Sequence, residues 1–171
     1  GRSAIRSMDA TLSRRAEDVM RLLSARQLAV VTAESCTAGL VSAVLSTAEG
    51  ASQILHGGFV TYTKAQKTAA LGVPAELLSA QGAVNEQVVR RMALGALERS
   101  RASIALSVTG VLGPEPDEDG NPVGLVFFAC CVRGKDANVI KRQFSCDDRD
   151  ALCRDVIIAA LDLLDEVASA A

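Results

Sequence analysis

The apolar run Val30-Val31-Thr32-Ala33 ends at a carboxylate, Glu34, and then come Ser35, Cys36 and Thr37. Each of these three small side chains carries an oxygen or sulfur that can attack a carbonyl carbon or cap a helix. If a helix begins here, Ser35 is its N-cap, and the N–H groups of Cys36, Thr37 and Ala38 find no partner inside the helix. They would then face outward at the positive end of the helix dipole, where a phosphate or an oxyanion binds. Ala38 and Gly39 are small enough to let a ligand approach the backbone. The same residues also read as an ordinary cap with no chemistry at all.

A nucleophile needs a base, and the chain offers one histidine, His56, in Leu55-His56-Gly57-Gly58. It reads as a solvated loop residue, which argues against a Ser-His-Asp triad and a Cys–His pair. The remaining bases are Tyr62, the single tyrosine, and Lys64 and Lys67 just after it. A lysine serves as base when burial or a neighbouring cation lowers its pKa; otherwise both lysines belong to a solvated helix face. Cys36 is an alternative nucleophile, because a thiol at a helix N-terminus ionises early. A second glycine-rich turn, Ser107-Val108-Thr109-Gly110-Val111-Leu112-Gly113-Pro114, ends another apolar run. Thr109 there either donates to a ligand oxygen or serves the turn itself.

These residues must be carried by regular elements. Met8–Arg26 has an apolar stripe at Leu12, Ala16, Val19, Met20, Leu22 and Leu23 and reads as a helix. A buried strand follows over 28–33, then a helix over 37–47, a strand over 58–63, and a helix over 64–71 stopped by Gly72. Pro74 opens a short helix and Asn85 caps a longer one. Strands are expected at 103–108, 123–132 and 139–145, the last two joined by a hairpin turn at 135–138. Asp147 or Asp148 caps a final helix that runs to Val167. Strands alternating with helices, then a hairpin, predict one α/β domain over 8–169: a three-layer α/β/α sandwich with a mixed sheet. Ligands would collect beyond the strand C-termini, which puts Ser35 and Thr109 on one edge.

Composition narrows the function. The chain has 171 residues, enough for one domain that buries roughly 70% of its unfolded-chain surface. Aromatics are 3% with no Trp, so the core is aliphatic. A net charge of -2 and the lack of an aromatic platform argue against a nucleic-acid partner. No apolar run is long enough to span a membrane. Five cysteines, none in C-x-x-C spacing, argue against a disulfide framework or a zinc ribbon, and one histidine against a His-rich metal site. The expectation is a cytoplasmic protein with no metal or cofactor, assembling as a homo-oligomer. Residues 1–7 are expected to lie outside the domain, and Cys130 and Cys131 to be buried small hydrophobes of a strand.

Taken together, A-E-S-C-T-A-G at 33–39, G-F-V-T-Y-T-K-A-Q-K at 58–67, G-A-V-N-E-Q-V-V at 82–89, M-A-L-G-A at 92–96, V-T-G-V-L-G-P at 108–114, P-V-G-L-V at 122–126 and F-S-C-D-D-R at 144–149 resemble the CinA C-terminal domain family, the nicotinamide-nucleotide amidases. The resemblance covers about residues 12–167. It implies hydrolysis of the carboxamide of nicotinamide mononucleotide to nicotinate mononucleotide and ammonia, without a metal, in pyridine nucleotide recycling. By motif position Ser35 would be the nucleophile, Lys67 the base and Tyr62 its partner or proton relay, with Lys64 a surface residue. Cys36, Thr37, Ala38 and Gly39 would line the substrate along with Thr109 and Gly110. Arg149 would meet the phosphate, with Arg154 a second candidate; a surface Arg149 paired with the flanking aspartates is the competing reading. Four positions depart from the family's usual pattern: Ala38 stands where a glycine is usual, Leu112 replaces a small residue, Glu115 follows the proline of the second turn, and Asn85 stands where serine is frequent, a conservative cap exchange. Ala38 and Leu112 favour the alternative of an inactive nucleotide- or partner-binding module. The acidic loop 115–119 is expected to face solvent, and the chain to be the stand-alone form of the domain.

Overall fold

The computed structural model describes residues 9–145 and 147–171. The expectation for residues 1–7 therefore falls outside the described residues. The first element among the described residues is α1 (Ala10–Ala25), whose N-cap Asp9 accepts the N–H groups of Thr11 and Leu12 at 3.0 and 3.1 Å. Of the predicted stripe of this helix, Leu12, Ala16, Val19, Met20 and Leu23 are buried and Leu22 is half-buried against the core.

Next come β1 (Val30–Glu34), α2 (Leu40–Leu45), α3 (Ala51–Ile54), β2 (Leu55–Val60), α4 (Lys64–Leu71), α5 (Ala75–Gln81) and α6 (Glu86–Glu98). The chain ends with β3 (Ile104–Gly110), β4 (Leu125–Val132), β5 (Asn138–Gln143) and α7 (Arg149–Ala170). The five strands form one sheet in the order β2-β1-β3-β4-β5. β1 pairs in parallel with both β2 and β3, and β4 and β5 are added antiparallel. β1 is buried along its whole length, as a near-continuous apolar run between two parallel neighbours demands.

Two aliphatic clusters cover the two faces of the sheet. One joins α1, α2 and α7 to Ile104, Leu106, Val108, Val126 and Phe128; the other joins α4, α5 and α6 to Val31, Ala33, Ala105 and Ala129. The period of two along β3 decides which residue meets which layer. The result is the three-layer mixed-sheet sandwich read from the sequence. Cys130 and Cys131 face opposite layers and are both buried. Asn85 caps α6 as expected, its Oδ1 accepting Val88 N–H at 2.9 Å. Gly72 ends α4 at φ 72, and Val73 N–H reaches Lys67 O at 3.2 Å.

Two of the boundaries that differ from expectation bear on the site. The helix expected over 37–47 starts only at Leu40, because Ala38 and Gly39 take left-handed backbone at φ 50 and 93 and the chain first makes a separate turn. The strand expected over 58–63 lies three residues earlier, so His56 is an exposed residue of an edge strand and not of a loop. β2 contains two glycines and needs one of them. A Cβ on Gly58 would collide with the hydroxyls of Thr32 and Ser42.

Candidate active site

β1, β2 and β3 run in parallel, so Glu34, Val60 and Gly110 end on one edge of the sheet. The crossover from β1 leads to β2 on one side, and the next leads back to β3 on the other. The site stands beyond the strand C-termini, where the strand order reverses. Backbone bonds fix it: Ser35 N–H donates to Val108 O at 3.0 Å, and Thr61 N–H donates to Glu34 O at 2.8 Å. Ser35 is thereby held beside the chain that leaves β2 for α4.

α4 then delivers Lys67. Thr63 caps this helix by accepting Gln66 N–H at 3.1 Å, and Lys67 falls on the face turned to the sheet. Its side chain is 1% exposed. Nζ lies 2.7 Å from Ser35 Oγ and 3.0 Å from the Thr61 carbonyl. Burial lowers its pKa from 10.5 to about 8; the nearby Cys36 sulfur pulls the other way and the Lys64 ammonium pushes it down further. The neighbouring cation that helps is therefore a lysine. Lys64 itself is on the surface, as expected, bridging Glu118 and Asp119 at 3.0 Å each.

Above Ser35 lies a cleft of about 220 Å³ whose wall includes Cys36, Tyr62, Gly110, Leu112, Glu115 and Arg149. Tyr62 is 60% exposed at its mouth and makes no hydrogen bond to Lys67 or Ser35 among the described residues, so the predicted partnership with the lysine is not formed here. Arg149 opens α7, and its Nε donates to Gly113 O at 3.3 Å. Its flanking aspartates do not hold it in an ion pair among the described residues. Arg154 is taken by Asp9 at 2.6 Å, away from the cleft.

Several expected contacts are redirected. Ser35 does not cap a helix. Ala38 N–H bonds back to Ser35 O at 3.0 Å, which leaves Cys36 and Thr37 as the turn's N–H groups without a main-chain acceptor among the described residues. Thr37, Ala38 and Gly39 do not line the cleft: Thr37 Oγ1 donates to Glu34 at 2.6 Å, and Gly39 sits against Val60. Thr109 is 1% exposed and its hydroxyl donates to Ala83 O at 2.8 Å, so it ties β3 to the loop before α6 and does not face a ligand. Cys36 is not activated. Burial pushes its thiol from 9.0 up to about 12, because the positive helix end invoked for it is not there. The loop 115–119 does not simply face solvent, for Lys64 anchors it to α4 and Glu115 and Asp117 enter the cleft wall.

One residue of the site escaped the sequence reading of roles. Glu34 is fully buried, and its carboxylate accepts Thr37 Oγ1 at 2.6 Å, Val41 N–H at 2.8 Å, and Ser42 N–H and Oγ at 3.0 and 2.9 Å. It does for α2 what Ser35 was expected to do, capping the helix and closing the turn around the serine. The signal was present: a carboxylate ending an apolar strand must be satisfied by something.

Fold and site define a single-domain α/β protein that holds a buried serine–lysine pair under a small cleft at a strand switch point. Residues 12–168 match the CinA C-terminal domain, and the chain belongs to that family. It is 41% identical over 157 residues to the nicotinamide-nucleotide amidohydrolase PncC of Escherichia coli K12, covering 91% of this chain and 94% of that protein. It is 42% identical over 119 residues to a CinA-like protein of Chloroherpeton thalassium, where it covers 70% of this chain but spans only 28% of that protein's length. Among solved structures, a CinA superfamily protein of Klebsiella pneumoniae superposes with a TM-score of 0.89 at 33% identity, covering 94% of this chain and 99% of that one.

Proposed function

We propose that this protein is an amidohydrolase that converts nicotinamide mononucleotide to nicotinate mononucleotide and ammonia, with Ser35 as nucleophile and Lys67 as base. The observation that carries this is the 2.7 Å contact between Ser35 Oγ and a buried lysine amine whose pKa lies near 8. A neutral amine there holds one of its two N–H groups on Thr61 O and turns its lone pair to the serine hydroxyl.

Ser35 Oγ attacks the carboxamide carbon while its proton moves to Lys67 Nζ. The oxygen of the tetrahedral adduct becomes an anion, and the N–H group of Cys36, which lines the cleft and has no main-chain acceptor among the described residues, is its donor. Collapse breaks the C–N bond, and the Lys67 ammonium returns the proton to the leaving nitrogen, which departs as ammonia. Water, deprotonated by the same amine, then attacks the acyl ester and frees Ser35. Arg149 in the cleft wall takes the phosphate, and the exposed ring of Tyr62 covers the mouth beside the pyridine.

The relative named for this activity is similar over nearly its whole length, which supports the same substrate class. Of the departures that favour an inactive module, Ala38 is off the cleft wall, whereas Leu112, 4% exposed and packed into the aliphatic core, also forms part of that wall. Ammonia release from the nucleotide is the test. Wild type should release it, whereas Ser35→Ala and Lys67→Met should each lose about three orders of magnitude or more in kcat. A Lys67→Met protein with full activity would overturn the mechanism.

A further inference from the structure

The acidic loop after β3 brings carboxylates to a cleft that also holds Arg149. Most of them are already used. Asp117 accepts Asp119 N–H at 3.0 Å, Asn121 N–H at 2.7 Å and Asn121 Nδ2 at 2.8 Å, which closes the loop on itself. Glu118 and Asp119 are held by Lys64. Glu115 is different: it lines the cleft, and among the described residues it has neither an ion pair nor a hydrogen bond. Among the described residues Arg149 has a single hydrogen bond, to a neutral carbonyl, and no ion pair. One small cleft thus carries a free cation and a free anion that do not neutralise each other. A purely anionic ligand would be attracted by one and repelled by the other. A ligand with both charges, set apart, satisfies both.

We infer that Glu115 is a specificity-determining residue that reads the positive charge of an oxidised pyridinium ring, so that the cleft prefers a dipolar pyridine nucleotide over its uncharged dihydro counterpart. This rests on the functional reading above, in which Arg149 takes the phosphate and the carboxamide lies at Ser35. The ring nitrogen then sits in the wall's field between these two points, where Glu115 is the carboxylate left to face it.

The experiment compares wild type with Glu115→Gln at low salt, using two ligands: oxidised nicotinamide mononucleotide as substrate and its dihydro form as competitive inhibitor. Glu115→Gln should raise KM for the oxidised nucleotide about three- to fivefold, the factor that an exposed ion pair confers, with kcat unchanged. The inhibition constant of the dihydro form should stay where it is. In wild type the preference for the oxidised ring should shrink as salt is added. If both constants move together, or neither moves, Glu115 does not read ring charge and the inference falls while the amidase reading stands. If wild type releases no ammonia, the amidase reading falls instead. The dissociation constants of the same two ligands on the same two proteins then decide the inference by the same criterion.

Discussion

Lys67 is a long side chain with almost no exposed surface, and its amine meets a hydroxyl and a carbonyl, neither of them charged. No anion at contact distance offsets the loss of water around the ammonium, so burial decides, and its pKa falls to about 8. The protonated form cannot accept the serine proton. kcat/KM should therefore climb with pH through about 8 and level off above it, the limb of a base and not of an acid. A rate profile flat from pH 6 to 9 would remove Lys67 from the role. Which lysine does this was only partly legible in the sequence. Lys64 and Lys67 stand three residues apart on one short helix, and burial depends on how that helix is turned against the sheet. Family resemblance made the choice; the residues alone left it open. Glu34 and Thr109 were misjudged for a related reason. The first was given no role and the second a ligand, whereas the partners that fix both, Ser42 and Ala83, are placed only by tertiary packing.

Elements decide whether Ser35 and Lys67 meet at all. α4 lies on α6, and the contact is close because Gly95 has no side chain; a Cβ there would run into the Leu71 carbonyl at the end of α4. In an exposed helix, alanine in place of glycine would stabilise by about 1 kcal/mol. Here the sign reverses: Gly95→Ala should destabilise by about 1–3 kcal/mol, read from a urea midpoint, and should lower kcat because α4 carries Lys67. Long, strongly periodic elements such as α1, α6 and α7 were legible because each buries a continuous stripe. The turn after β1 was not. Its conformation depends on left-handed backbone at Ala38, a position where an L side chain is unfavourable, and on a cap reaching up from the strand below.

At the scale of the whole molecule, the same lysine is a burden on stability. Unfolded, it binds its proton up to about pH 10.5; folded, it releases it near 8. Between those values the unfolded state holds more protons, so this group makes the protein more stable as pH rises through the window and less stable below it. Below pH 8 the penalty is about 3 kcal/mol, the full shift expressed as free energy. Lys67→Met should therefore be more stable than wild type at pH 7, and the gap should narrow by about 1 kcal/mol by pH 9, measured by chemical denaturation of both proteins side by side. The Cys36 thiol, raised by burial, acts in the opposite direction above pH 9, which is why the comparison stops there. The chain also has no tryptophan and one tyrosine, and that tyrosine stands at the mouth of the cleft. Its ultraviolet fluorescence consequently comes from a phenol beside Ser35, so the optical signal of the entire protein is, in effect, a recording of what occupies one site.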